Sequence, residues 1–171
     1  MTTARPGQIR QCTVVLILTC VLIGLISSSC SRSGEESSEV ISVGAEDKEM
    51  NAAIAKAQET LPQFWQAFEK RENGDEDFAL KVKIQDGENV EHFWVVDIER
   101  KDGKLLGTIS NEPEFVGNVK MGQQISIPEA DISDWVYTHD GKMVGNHTLR
   151  ALFKHMPAGE VEKYRQMLAD P

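Results

Sequence analysis

The sequence predicts an α+β fold: an antiparallel meander sheet with an N-terminal helix and one or two C-terminal helices packed on it. Three observations carry this. Apolar residues recur at spacings of three and four over Met50 to Arg71, alternate with polar residues through the middle of the chain, and return to helical spacing after Leu149. Asp-Gly pairs stand between the alternating runs, a hairpin signature that makes neighbouring strands antiparallel. The order is helix, then a block of strands, then helices, which is the segregated α+β pattern and not a βαβ alternation.

In the first helix Ile54, Ala57, Leu61, Phe64, Trp65 and Phe68 form the apolar stripe. The trio Phe64, Trp65 and Phe68 reads as core. Pro62 interrupts the stripe, because a proline inside a helix removes a hydrogen bond and crowds the preceding turn. We therefore expect a kink there, or two helices with Thr60 capping the second. Phe78, Leu80, Val82 and Ile84 then alternate with Ala79, Lys81 and Lys83, a half-buried strand. Asp86-Gly87 turns the chain into a strand over Val90 to Ile98, and Lys101-Asp102-Gly103 into one over Leu105 to Ser110. Asn111-Glu112-Pro113 breaks the pattern. Strands resume at Gln123 to Ile127 and Ile132 to Thr138, and Asp140-Gly141 gives a short return over Lys142 to Val144. Leu149, Leu152, Phe153 and Met156 form one C-terminal stripe. Past the Pro157-Ala158-Gly159 break, Val161, Tyr164, Met167 and Leu168 form another.

The chain has 171 residues, 40% apolar and 26% charged, which suits one globular domain with a tail. Its formal charge of −9 argues against a nucleic-acid partner, since such partners are held by basic patches. Residues 1–13 carry Arg5 and Arg10 and no acid, and Val14 to Ile26 is nearly all apolar. At about 1.5 Å per residue this run spans roughly 20 Å, short of the ~30 Å hydrocarbon core. A basic start, a short apolar centre and the small residues Ser27, Ser28 and Ser29 describe a secretory signal over 1–29. Small residues directly before Cys30 resemble a bacterial lipoprotein signal, in which that cysteine is lipidated and becomes the mature N-terminus. Ser27 stands where the usual box has Leu or a similar residue. An ordinary signal cut near Ser29, or an uncleaved anchor, is the other reading.

Residues 30–48 are rich in Ser, Gly and Glu and poor in large apolar groups, so they read as a flexible tether, leaving 49–171 as a single α+β domain. Cys12 and Cys20 lie in the leader. With Cys30 acylated, the mature domain has no thiol for catalysis and no cysteine for a zinc site. Cleavage also removes two arginines, leaving the mature chain more acidic than the −9 of the whole.

Three clusters are candidates for chemistry. In Glu91-His92-Phe93-Trp94, strand alternation puts His92 on a face with Val90, Trp94, Val96 and Ile98, where it is either a general base or a satisfied core histidine. Asp134, beside Trp135, either orients His92 or satisfies backbone donors at a turn. Around Asn146-His147-Thr148, either Asn146 or Thr148 could cap a helix, and Arg150 could bind an anion or pair with Asp131 or Asp134. His147 and His155, eight apart, would share a helix face, with no acidic partner to complete a metal site. No metal or cofactor is expected. There is no GxGxxG, P-loop, GxSxG or HExxH, while a Ser/His/Asp triad, not being local in sequence, stays open.

Taken in order, several strings resemble a bacterial family, the YegJ-like domain of unknown function 2314. They are Met50-x-x-Ala53-Ile54 with Leu61-Pro62-x-Phe64-Trp65, Val82-Lys83, Glu91-His92-x-Trp94-Val95 and Gly107-x-x-x-Asn111-x-Pro113. Lys120-x-Gly122-Gln123, Ile132-Ser133-Asp134-Trp135 and Gly145-x-x-Thr148-x-Arg150 complete the set, over about residues 50–154. The resemblance implies no activity. It groups Glu91, His92, Trp94, Asn111, Asp134, Trp135, Thr148 and Arg150, which form either one site or the hydrogen-bond frame of the fold. The expected function is a non-enzymatic envelope lipoprotein, held on the periplasmic or outer side of a membrane through Cys30, whose sheet binds a protein or small ligand. One alternative is a hydrolase-like enzyme with His92 as base, Asp134 as its orienter and Arg150 as anion stabiliser. Another is an immunity-type interaction domain with an exposed apolar patch.

Overall fold

The computed structural model describes residues 47–170. The expected leader over 1–29, Cys30 and the expected tether as far as residue 46 lie outside the described residues, while the last two positions of that tether, Asp47 and Lys48, are the cap and first residue of a helix. Helix α1 (Lys48–Lys70) opens on Asp47, whose Oδ1 accepts the amides of Glu49 at 2.9 Å and Met50 at 3.0 Å. Lys154, from the other end of the domain, reaches the same carboxylate at 2.8 Å. The Lys154 hydrogen bond and then the Met50 amide hold the Asp47 carboxyl down at about 2.

Pro62 does not divide α1, which runs unbroken through it. Thr60 is no cap: it sits mid-helix and its hydroxyl donates to the Lys56 carbonyl at 2.7 Å. Ala57 and Thr60 before the proline and Phe64 after it are all buried. Packing on both sides of Pro62 outweighs one missing hydrogen bond.

Strands β1 (Asp75–Asp86), β2 (Asn89–Lys101), β3 (Lys104–Ile109), β4 (Gln124–Ser126), β5 (Ile132–His139) and β6 (Lys142–Gly145) form one antiparallel sheet in the order β4-β3-β2-β1-β5-β6. The first four make the expected meander. β5 then returns to the free edge of β1, so β1 is central. Asp102-Gly103 and Asp140-Gly141 have positive φ at both residues, 51° and 73°, and 49° and 76°. Two-residue turns of this hand match the twist of the strands they join.

α1 covers one face. There Phe78, Leu80 and Val82 of β1 meet Phe93, Val95 and Ile98 of β2, Ile109 of β3, and Ile132 and Trp135 of β5. Phe64 is fully buried, with its ring centroid 5.0–5.9 Å from those of Trp65, Phe68, Phe78 and Trp135.

Two bulges decide which residues reach this core. Val95 and Ile98 are both buried although three residues apart, which strict alternation forbids. The β2–β3 register slips between Val96 and Glu99, where Asp97 takes φ 50° and turns Ile98 back inward. This corrects the expected face of His92: Ile98 is not on it, and the core lies on the other side, with Phe93 and Val95. The second slip, between Lys81 and Val82 against β5, lets Ile132 and Trp135 both face the core. Ser133 and Asp134 consequently share the opposite face.

The C-terminal part is α2 (His147–Leu152), a 3-10 turn over Phe153–His155, and α3 (Ala158–Met167). α2 ends before His155, so His147 and His155 share no helix face; His155 instead stands 3.8 Å from Asp47. Past α3 the chain returns to the sheet edge, with Ala169 donating to the Met143 carbonyl at 2.8 Å.

Candidate functional site

Asp134 is fully buried and its carboxylate is full. Oδ1 accepts the amides of Trp135 at 2.8 Å and His147 at 3.1 Å, and Oδ2 accepts the Thr148 amide at 2.7 Å and its hydroxyl at 2.6 Å. The His147 and Thr148 amides open α2 and have no acceptor within the helix. Asn146 occupies the cap position with φ 53°, yet its side chain makes no capping bond. The expected local cap is thus replaced by an aspartate from β5. A carboxylate at a helix N-terminus also gains from the helix dipole.

Lys81 lies opposite Asp134 in the β1–β5 ladder. Its ammonium donates to the Thr148 hydroxyl at 3.2 Å and sits 5.4 Å from the centre of the Trp94 ring. Burial lowers its pKa from the ordinary lysine value, with Asp134 opposing. On the neighbouring strand His92 Nδ1 meets the Ser133 hydroxyl at 2.7 Å, and Ser133 also donates to the Lys81 carbonyl at 3.2 Å. With its one proton on that carbonyl, Ser133 accepts from Nδ1–H. Burial first, then the charges of Lys81 and Lys83, lower the His92 pKa.

His92, Asp134 and Arg150 do not form a bonded set. Asp134 holds α2, His92 bonds Ser133, and Arg150 donates to the Ala169 carbonyl at 2.9 Å. Arg150 therefore pairs with neither expected aspartate; Asp131 stands 3.6 Å from Lys83. The other motif residues hold backbone. Glu91 accepts the amides of Glu114, Phe115 and Val116 at 3.0–3.4 Å and fixes the loop after β3. Asn111 accepts the Trp94 amide at 3.0 Å, and the Trp135 indole donates to the Ala57 carbonyl at 2.9 Å. Among the described residues no group of three or more His, Cys, Asp or Glu is placed to hold a metal ion. A cleft of about 440 Å³ lies elsewhere, between Arg100, Leu105, Ile127 and Glu129, and no candidate residue lines it.

Sequence reasoning passed over Lys81, Lys83 and Ser133 as partners of His92 and Trp94. The alternation of β1 did mark both lysines as the polar side of the strand. Their neighbours depend on register, which no local pattern carries.

The histidines yield a pH prediction. His147 Nε2 meets the Thr60 hydroxyl at 3.1 Å, and burial lowers its pKa from 6.5. His92 is lowered likewise, whereas a hydrogen bond to Asp75 raises His139. In an NMR titration His92 and His147 should show midpoints below 6.5 and His139 one above it. A lowered histidine binds fewer protons folded than unfolded, so its contribution to stability is full above pH 6.5 and is lost as pH falls toward the folded pKa. His139 acts in the opposite sense, with its contribution present below 6.5 and lost as pH rises through its raised pKa.

Comparison with known proteins follows the same ground. A family model described as an uncharacterized protein conserved in bacteria (DUF2314) matches residues 47–169. The uncharacterized protein YegJ of Escherichia coli K12 is 32% identical over 148 residues, which cover 86% of this chain and 95% of that protein. A putative ankyrin repeat protein of Neisseria meningitidis serogroup B is 32% identical over 123 residues, 67% of this chain but only 48% of that protein. No solved structure matches. The family match runs through α1, the sheet and the Asp134-capped helix alike, and the chain belongs to the bacterial DUF2314 family.

Proposed function

We propose that the chain is a membrane-tethered envelope lipoprotein whose folded domain binds a ligand or protein and carries out no turnover. One observation carries the non-enzymatic part: the carboxylate of Asp134 has its oxygens filled by four internal donors. A general base or its orienter needs a lone pair that reaches substrate or histidine, and none is free there. Glu91, Asn111 and Arg150 are spent on backbone in the same way. What remains for a ligand is the sheet face turned away from α1, where Trp94, His92 and Lys81 are half-buried. Ester, amide and glycan substrates should give no turnover with the folded protein. Turnover that is lost in a folded His92→Gln variant would overturn the reading.

The anchor rests on the apolar run Val14 to Ile26 followed by Ser27, Ser28, Ser29 and Cys30. Cys30→Ser should move the protein from the membrane to the soluble fraction, and unchanged sedimentation with membranes would refute lipidation there. A protein-partner reading draws on one further observation. Val90, Phe115 and Met121 are exposed by 47%, 55% and 50%, and Asn89, next to Val90, donates to the Phe115 carbonyl at 3.0 Å.

A further inference from the structure

Two cross-strand pairs lie side by side on the sheet face away from α1: Lys81 opposite Trp94, and Lys83 opposite His92. Side chains directly opposite on one face stand about 5 Å apart at Cβ, so these four fill one patch. Each keeps something to offer. The Lys81 ammonium has three protons, of which the Thr148 hydroxyl takes one. His92 bonds Ser133 through Nδ1, and its Nε2 has no partner among the described residues. Lys83 is exposed and only loosely paired, 3.6 Å from Asp131. The Trp94 ring is half-buried, with the Lys81 ammonium against it.

Charge gives the patch its sense. The carboxylates that face it are Asp134, buried with its oxygens filled by four donors, and Asp131, already beside Lys83. Neither meets His92. The two lysines and the histidine repel one another, and both lysines depress the proton affinity of His92. Asp131 and Asp134 formally balance the two lysines, yet the Asp134 oxygens are filled, so the N–H groups of Lys81, Lys83 and His92 are the donors this face has left for an anion.

We propose that Lys81, Lys83 and His92 form a subsite for a small organic anion, a phosphate or carboxylate borne on a flat ring that stacks on Trp94. The proposal rests on the non-catalytic binding reading above and narrows its ligand. An anion there stabilises the histidine cation, so bound ligand raises the His92 midpoint and binding tightens as pH falls. Lipid phosphates share this chemistry. The net charge of −9 opposes an anionic bilayer, and the ligand is accordingly a soluble one.

The test uses the full chain in a neutral detergent, titrated with phenyl phosphate and, separately, with phenol. NMR signals of His92 and the Trp94 indole are followed across pH 5 to 8. Phenyl phosphate should move both signals to saturation, raise the His92 midpoint, and bind at least tenfold more tightly than phenol. Lys83→Gln, an exposed change that leaves the fold alone, should weaken phenyl phosphate about threefold, and Lys83→Gln with His92→Gln about tenfold. If phenol binds as tightly, the anion assignment is wrong while the binding reading stands. If neither probe moves either signal, the subsite does not exist. Release of phenol from phenyl phosphate would overturn the non-catalytic reading instead. Phosphatidylglycerol vesicles that capture the Cys30→Ser chain and displace phenyl phosphate would overturn the soluble-ligand assignment in favour of a lipid.

Discussion

Asp134→Ala should lower the unfolding free energy by about 3–5 kcal/mol, the range for removing one partner from a buried charged network. The buried donors of Trp135, His147 and Thr148 lose their acceptor together. The Lys81 ammonium also loses the hydroxyl orientation and the negative charge that accompany it. Against a typical domain stability of about 5–15 kcal/mol, this puts the variant near the edge of folding. Asp134→Asn keeps the shape and one acceptor oxygen but aims an NH2 at existing donors, so a smaller loss of about 1–3 kcal/mol is expected. Denaturant unfolding followed by tryptophan fluorescence measures both. A variant of Asp134→Ala with an unchanged midpoint would mean that the carboxylate is not part of the frame.

Gly145→Ala is the second large effect. Gly145 has φ 84°, a conformation that costs an L-residue about 1–2 kcal/mol by itself. An added Cβ would also lie 2.4 Å from a carbon of the Trp135 ring and 2.5 Å from the Trp135 carbonyl oxygen. Neither can yield cheaply, since Trp135 is fully buried, in contact with Phe64, and tied through its indole to Ala57. Overpacking of this kind costs a further ~1–3 kcal/mol. The expected total is about 2–5 kcal/mol, seen as a lowered thermal midpoint. The disturbance should spread to α2, because the Asn146 amide donates to the Trp135 carbonyl at 2.8 Å. Exchange of the His147 and Thr148 amides with solvent, followed by NMR, should therefore speed up relative to amides of β2 and β3.

Much of the fold was legible in the residues themselves. The stripe through Phe64 and Phe68, the alternation through Leu80 and Val82, and the Asp-Gly turns each encode their structure within a few neighbours. The errors were of another kind. Pro62 is locally disruptive and predicts a kink, or two helices with Thr60 capping the second, whereas α1 runs through it, held on both sides by burial of Ala57 and Phe64. Strict alternation puts Ile98 beside His92, and the positive φ of Asp97 resets it. Aspartate tolerates that conformation better than most residues, so it was the one local clue to the bulge.

The candidate site divides along the same line. The ordered motifs group Glu91, His92, Trp94, Asn111, Asp134, Trp135, Thr148 and Arg150, either as one site or as the hydrogen-bond frame of the fold. Which of them bond one another those motifs do not show. Asp134 and Thr148 meet because β6 ends early and α2 starts beside β5, fourteen residues on.

The sequence by itself determined the elements, their turns, the charge of the chain and the family, because periodicity and turn chemistry act between near neighbours. The tertiary structure alone decided that β5 pairs with β1, that bulges at Asp97 and Ser133 choose the faces, and that Asp134 caps a distant helix. It also set Lys81 against Trp94 and Lys83 against His92. Those are contacts between strands, and strand register is fixed by the packing of the whole sheet on α1.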